Sequence, residues 1–354
     1  MSKVLMKGNI ALCEGAIANG CRAYFGYPIT PQNEVASHMS KRMVEIDRVF
    51  IQAESELAAI NMVLGASATG TRAMTSSSSP GISLKQEGIS YLVGCELPAV
   101  IANVQRGGPG LGNIAGSQAD YFQATKGGGH GDYRMIVLAP ASVQEMYEHS
   151  YEAFDLADKY RNPVMLLCDG IVGQMMEPIE LNTVNSSAKK PVFDRSWVLD
   201  GCKGRAPRLV RSLFMAEGAL EEHNWNLKKK FDLITANEIR HETYLTEDAQ
   251  TIVVAFGVSA RIAKSAVRQA RKNNIKAGLI RPVTLWPFPE KIISGFASAG
   301  KNIKFLVVEM NLGQMVEDVR LAVNGSCPVE FLGRPGGAAV NQEEIYNKIR
   351  QIAG

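Results

Sequence analysis

The sequence predicts an α/β protein whose first half is a parallel sheet covered on both faces by helices. Two observations carry this reading. Short apolar runs alternate with stretches of helical periodicity from residue 9 to residue 168, as strand–helix–strand crossovers require. Turn and capping residues also fall where those elements should begin and end. Residues 9–19 (NIALCEGAIAN) read as a helix closed by Gly20. Residues 22–27 (RAYFGY) read as a short strand, after which Thr30 and Pro31 fit the N-cap and first position of a helix running towards Met43. Val49–Gln52 reads as a strand, and residues 54–68 as a helix with Leu57, Ile60 and Leu64 on its apolar face. A strand over 72–75 is followed by the loop SSSSPG, a helix near 82–93 and a strand over 98–104. The Gly-rich stretch 105–131 has room for at most one short helix. A strand over 135–139, a helix over 142–159 and a strand over 163–168 complete this half.

Composition shifts near residue 180. Residues 183–246 hold NSSAKK, GCKGRAPR and NLKKK with few buried-strand patterns, so they read as an exposed linker or arm. The run Lys228–Lys230 reads as a solvated helix face. Alternation resumes at 251 with the strand TIVVAF, a basic amphipathic helix over 259–273, strands over 275–281 and 304–309, and a terminal helix over 341–352. The expected division is a first domain over 1–182, an arm over 183–246 and a smaller α/β domain over 247–354. No internal repeat is present.

Composition excludes several classes. The net charge of +3 is too small to argue for a nucleic-acid or membrane surface. The closest pair among the six cysteines, Cys13 and Cys21, is eight residues apart, so there is no CxxC and no local iron–sulfur or zinc-ribbon spacing. A secreted disulfide framework is not expected in a chain of 354 residues. No apolar run approaches the roughly 20 residues of a membrane span, and the opening residues MSKVLMKG lack the apolar core of a signal peptide. The expectation is a cytoplasmic protein that engages neither nucleic acid nor membrane.

Open parallel sheets bind ligands at the carboxyl ends of their strands. Four unusual segments fall there: GYPITP (26–31), QAESE (52–56), TSSSSPG (75–81) and QRGGPGLG (105–112). Glu54 and Glu56 both sit at the start of a helix, where the macrodipole favours a carboxylate whatever its function. Each therefore has a structural and a catalytic reading. Arg106 ends a buried strand, and its fork fits either a substrate carboxylate or a structural ion pair. GGPGLG is not a dinucleotide fingerprint, because Pro109 interrupts it, and neither a P-loop nor a GxSxG elbow occurs. His130, in GGGHGD, reads as a loop-ordering residue ahead of a catalytic one.

Taken together, GYPITPQNE, QAESELAAINMVLGAS, RAMTSSSSPGISLKQEG, VQRGGPGLG, ATKGGGHGDYR, IRPVTLWPFP and VVEMNLGQM resemble the α subunit of 2-oxoacid:ferredoxin oxidoreductases. The likeness is closest to branched-chain members acting on 3-methyl-2-oxobutanoate (2-oxoisovalerate), with 2-oxoglutarate members next. It spans nearly the whole chain, and only 183–246 carries little signature. It implies a pyrimidine-type thiamine diphosphate-binding domain over 1–182 and a transketolase C-terminal-like domain over 247–354. The family's GDG…Asn motif for diphosphate and magnesium is absent here, as are its iron–sulfur cysteines. The resemblance therefore implies an enzyme divided among subunits. Mg2+ and the iron–sulfur clusters would lie on partners: a diphosphate-binding β subunit, a γ subunit and a ferredoxin-like subunit. The 2-oxo acid, coenzyme A and ferredoxin would be the reactants of a CoA-acylating oxidative decarboxylation.

The same resemblance implies residue roles. Glu56, selected over Glu54 by its spacing from Gly65 and Ala66, would hydrogen-bond the pyrimidine nitrogen opposite the amino group. Thr30 would donate to the substrate's oxygens, in competition with its capping role, and Arg106 would hold the substrate carboxylate. Tyr27, Pro28, Ile29 and Ser78 would line the cofactor. SSSSPG departs from the threonine-rich loop of other branches, which leaves open which hydroxyl of Ser76–Ser79 matters. A non-catalytic interaction subunit is the competing reading, and the joint presence of Thr30, Glu56 and Arg106 speaks against it.

Overall fold

The computed structural model describes residues 3–181, 192–299 and 302–354. The chain runs through β1 (Val4–Lys7), α1 (Gly8–Ala18), β2 (Ala23–Gly26), α2 (Asn33–Glu45), β3 (Val49–Gln52), α3 (Glu56–Ala68), β4 (Ala73–Ser77), α4 (Ser79–Gly94) and β5 (Val100–Gln105). A long loop with one π-helical turn (Gln123–Gly127) leads to β6 (Ile136–Leu138), α5 (Val143–Tyr160), β7 (Val164–Asp169), the short α6 (Gly170–Gln174) and β8 (Met176–Ile179). There follow α7 (Ala219–Asn237), β9 (His241–Tyr244), β10 (Thr251–Ala255), α8 (Gly257–Lys272), β11 (Ala277–Pro282), β12 (Thr284–Trp286) and α9 (Glu290–Ala297). The chain ends with β13 (Lys304–Glu309), α10 (Met315–Val323), β14 (Val329–Gly333) and α11 (Gln342–Ala353).

Seven strands form the larger sheet in the order β12-β6-β7-β5-β4-β2-β3, and five form the smaller in the order β14-β13-β10-β11-β9. Both are parallel except at β12–β6 and β11–β9. Strands β4, β5, β6 and β7 are buried along their whole length. That is why β5, β6 and β7 read as largely apolar runs instead of alternating ones. Ser142 caps α5 through Glu145 N, and Asn341 and Glu344 close a capping box on α11. Gly15 lets α1 lie directly on α5: a Cβ there would stand 2.1 Å from Ser150 Oγ.

The structure departs from the sequence reading at several points, each with a local cause. The helix after YPITP begins at Asn33 with Gln32 as N-cap, not at Thr30 and Pro31. The Pro31 carbonyl accepts from Asn9 Nδ2 (2.9 Å) and Gln174 Nε2 (2.6 Å), so it is engaged by α1 and α6 and starts no helix. SSSSPG is not a loop: Ser76 and Ser77 finish β4, and α4 starts at Ser79 with Pro80 in its first turn. On α3 the buried face is Glu56, Ala59, Ile60, Val63 and Ser67, while Leu57 is exposed. Lys230 is not solvated: its Nζ pairs with Glu96 at 2.6 Å and donates to Arg161 O. Part of the stretch read as an arm, 183–191, lies outside the described residues. Beyond it, α7 buries Leu227, Phe231 and Ile234, and β9 pairs antiparallel with β11. The reading also passed over β12, α9, α10 and β14.

The two sheets meet along a polar seam. Asp169, at the end of β7, is buried, and its two oxygens accept from Val172 N (3.0 Å) and Val258 N (2.8 Å), so one carboxylate caps α6 and joins α8. Gln118, fully buried, donates to Phe256 O and accepts from Ser259 Oγ and Met310 N. Asp169→Asn replaces one acceptor by an NH2 group that must face a backbone N–H. We expect a loss of about 1–3 kcal/mol in chemical denaturation. Burial pushes the Asp169 carboxyl up to about 6, above an unfolded value near 4. The folded state thus binds more protons across that interval, and stability falls as pH rises through it. The asparagine variant should lack this component, and an unchanged pH profile would show that the seam does not rest on this carboxylate.

Candidate functional site

Strands β2, β4, β5 and β7 run parallel, so Gly26, Ser77, Gln105 and Asp169 mark one edge of the larger sheet. The segments leaving β2, β4 and β5 converge there. Arg106, directly after β5, is 7% exposed, and its guanidinium donates to Thr30 O and Leu111 O, both at 3.0 Å. Thr30 and Arg106 are thus in direct contact, 76 residues apart in sequence. Arg106 has no carboxylate partner among the described residues, and its buried Nε makes no hydrogen bond. A buried guanidinium with donors to spare and no counter-charge is suited to an anion. Thr30 Oγ1 accepts from Asn33 Nδ2 at 3.1 Å. The hydroxyl is therefore not used as a helix cap.

Ser79 ties these segments together. Its Oγ accepts from Arg106 N (3.0 Å) and donates to Asp120 Oδ2 (2.6 Å), which also accepts from Asn103 Nδ2 (2.8 Å). Burial pushes the Asp120 carboxyl up, against these two hydrogen bonds. Ser78, the N-cap of α4, uses no side-chain hydrogen bond in capping, and the buried hydroxyls of Ser77 and Ser78 are both unpartnered among the described residues. Three residues after Ser78, a Cβ at Gly81 would meet Ser77 Oγ at 2.1 Å and Glu56 Oε1 at 2.4 Å. Bare backbone is therefore what gives the Glu56 carboxyl its place.

The two glutamates separate clearly. Glu54 is exposed, whereas Glu56 is 5% exposed in the first turn of α3, behind the N-cap Ser55. Among the described residues Glu56 accepts no hydrogen bond. A carboxylate withdrawn from water without a donor calls for a ligand that supplies one. Tyr27, 37% exposed, and Pro28 stand at the surface of the same edge, with Ile29 half-buried. His130 is exposed, and its carbonyl accepts from Ser90 Oγ.

Sequence reasoning left Ser79 as one of four candidate hydroxyls and missed Gly81, Asp120 and Lys85. Lys85 is fully buried on α4, where Nζ donates to Thr75 Oγ1 (2.9 Å) and Ser76 O (3.0 Å). A signal was present: Ile82, Lys85 and Ile89 share one helical face, so the lysine occupies an apolar position. Burial pushes its ammonium down to about 7, opposed by the charge of Glu56. Away from this edge, a cleft between α5, β9 and α8 is lined by Glu145, Glu242, Lys264 and Arg281. Its Arg281 pairs with Glu145 and Glu242, unlike Arg106.

Residues 14–233 match the family model of the pyruvate flavodoxin/ferredoxin oxidoreductase thiamine diphosphate-binding domain, and residues 249–345 match pyruvate:ferredoxin oxidoreductase core domain II. The ketoisovalerate oxidoreductase subunit VorB of Methanothermobacter marburgensis is 51% identical over 354 residues, covering 100% of this chain and 99% of the relative. The chain belongs to the 2-oxoacid:ferredoxin oxidoreductase family. It is an enzyme subunit that works with partner subunits, and it carries the family's thiamine diphosphate-binding domain. The 2-oxoglutarate synthase subunit KorA of Methanothermobacter thermautotrophicus is 39% identical over 371 residues, covering 98% of both chains. Among solved structures, the 2-oxoglutarate:ferredoxin oxidoreductase of Magnetococcus marinus, with 2-oxoglutarate, coenzyme A and succinyl-CoA bound, superposes with a TM-score of 0.88 at 26% identity, covering all of this chain and 66% of that one. An inactive β4 tetramer of a split-gene transketolase shares the fold at a TM-score of 0.59 and 12% identity. Both sheets thus follow a transketolase-like plan, as the sequence reading expected. No helix among the described residues is long and apolar enough to cross a membrane.

The buried lysine has a consequence for stability. An unfolded lysine titrates near 10.4, and Lys85 titrates at about 7. Between these values the unfolded chain binds the extra proton, so stability rises with pH across the window, by at most about 1.4 kcal/mol per unit. Lys85→Met should flatten that rise in denaturation midpoints measured from neutral to alkaline pH. A slope identical to wild type would place the ammonium in contact with water.

Proposed function

We propose that this chain is the α subunit of a CoA-acylating 2-oxoacid:ferredoxin oxidoreductase and supplies the pyrimidine side of its thiamine diphosphate site together with the substrate grip. One observation carries the reading. A buried glutamate that accepts no hydrogen bond and a buried arginine without a carboxylate stand at one sheet edge, joined through the start of α4. The unpartnered Ser77 and Ser78 hydroxyls fit a polar ligand at the same place.

Bound thiamine diphosphate supplies a nucleophilic carbon for the 2-oxo carbonyl and a sink for the electrons of decarboxylation. This chain's residues bind, orient and move a proton around it. Glu56 hydrogen-bonds the ring nitrogen opposite the amino group and exchanges a proton there. Arg106 turns its remaining donors to the substrate carboxylate, with its planar fork already oriented by Thr30 O and Leu111 O. Thr30 donates its hydroxyl proton to the substrate's oxygens. Tyr27, Pro28, Ile29 and Ser78 line the ring. The β, γ and ferredoxin-like partners hold Mg2+ and the iron–sulfur clusters, for which this chain has no CxxC spacing. They pass electrons to ferredoxin, and coenzyme A takes the acyl group. The preferred substrate is 2-oxoisovalerate, supported by 51% identity to a ketoisovalerate subunit against 39% to a 2-oxoglutarate subunit.

The test is the complex reconstituted from this chain and its partner subunits. It should reduce a viologen dye in a reaction dependent on both coenzyme A and a 2-oxo acid. In a panel of 2-oxoisovalerate, 2-oxoglutarate and pyruvate, kcat/KM should be highest for the first, and a preference for 2-oxoglutarate would overturn the substrate assignment. Glu56→Gln should assemble normally and lose at least about 100-fold in turnover. Wild-type turnover would remove Glu56 from the chemistry. Arg106→Ala should raise the KM for the 2-oxo acid by roughly 10- to 100-fold, the worth of one or two charge-assisted hydrogen bonds, and an unchanged KM would remove it from the carboxylate site.

A further inference from the structure

Lys85 is the feature of this edge that the reading above leaves unused. Its acceptors, Thr75 Oγ1 and Ser76 O, are both neutral, and it forms no ion pair among the described residues. An ammonium taken out of water is tolerated only with an opposite charge nearby. The charge acting on it is that of Glu56. Helix geometry brings the two together. Gly81 and Lys85 are four residues apart, so they share a face of α4. At Gly81 that face abuts Glu56 Oε1 and Ser77 Oγ. One turn on, it delivers the ammonium to Thr75 and Ser76, on the same end of β4. Gly88, one turn further, packs against Ile60 of α3. The α3–α4 contact thus sets one buried ammonium and one buried carboxylate along the same helix face, with no ion pair between them.

We propose that Lys85 is a positioning residue for Glu56: its clamped ammonium stabilises the negative charge left on Glu56 when the glutamate's proton passes to the cofactor's ring nitrogen. The proposal rests on the reading of Glu56 given above. The step balances, since one proton leaves a carboxyl oxygen of Glu56 and arrives on the ring nitrogen while Lys85 acts in its protonated form, which the charge left on Glu56 favours, and keeps its own protons. Other titratable groups at this end are committed elsewhere. Tyr24 on β2 hydrogen-bonds Ser76 Oγ, and burial pushes its hydroxyl up, so it stays neutral. Asp120 is bound by Ser79 and Asn103, and Arg106 by Thr30 O and Leu111 O.

A double-mutant cycle in the assembled complex tests this. Lys85→Met, Glu56→Gln and the double variant are compared for thiamine diphosphate affinity, read by fluorescence quenching as a function of pH, and for turnover. With Glu56 present, Lys85→Met should weaken cofactor binding and turnover by roughly tenfold, and move the acid limb of the binding profile by about one pH unit. In the Glu56→Gln background the same substitution should change either by less than about twofold. Equal losses in both backgrounds, or an unmoved acid limb, would overturn the proposal and leave Lys85 a packing residue. Wild-type behaviour of Glu56→Gln would overturn the reading of Glu56 as well, which separates the two failures. Lys85→Gln, which keeps a polar group against Thr75 and Ser76, carries the same cycle where the methionine variant does not assemble.

Discussion

The site hangs on one hydroxyl. Ser79 Oγ accepts from the Arg106 backbone and donates to Asp120, so the first residue of α4 is fixed to the first residue after β5. Everything chemical at this edge is measured from that point. Arg106 projects from one side of it to reach Thr30. Two residues into α4, Gly81 leaves the space that Glu56 fills, and one turn later Lys85 returns to β4. A parallel sheet supplies such a point naturally, because the ends of adjacent strands and the starts of their following helices lie side by side.

What the fold tolerates there is costly by the standards of a protein interior. Glu56, Lys85 and Arg106 are all withdrawn from water, and hydroxyls at Ser77 and Ser78 are left without partners. A core optimised for stability alone would carry apolar side chains at these positions. Strain of this kind collects where a binding partner completes the hydrogen bonds. Membership of a family whose enzymes work as several subunits is consistent with that arrangement, since this chain presents half-satisfied polar groups at an edge.

Much of this was legible in the sequence, and the rest failed for identifiable reasons. Most of the buried strands announced themselves because both faces of the sheet are covered, so their residues are largely apolar. Arg106 was visible because it directly follows such a run, whereas Glu56 was separated from Glu54 only by the family resemblance, through its spacing from Gly65 and Ala66. Thr30 was misread as a cap because capping is a local signal, whereas the Pro31 carbonyl is engaged by side chains from α1 and α6. The serines after Thr75 looked like a loop, since serine favours turns, but burial in the sheet overrode that propensity. Lys85 escaped notice because lysine is ordinarily solvated, and only its spacing from Ile82 and Ile89 pointed inwards. The three residues of β12 are too short a run to be read as a strand, and their pairing lies in a different sheet from their neighbours in sequence.

That last strand bears on how the subunit moves. Thr284–Trp286 leaves the smaller sheet and adds to the edge of the larger one beside β6, while Asp169 and Gln118 bolt the seam from the other side. A hinge between the two halves would have to peel a strand from one sheet and uncap helix α8 in the same stroke. Motion between the two halves is therefore resisted by strand pairing and by buried side-chain hydrogen bonds at once.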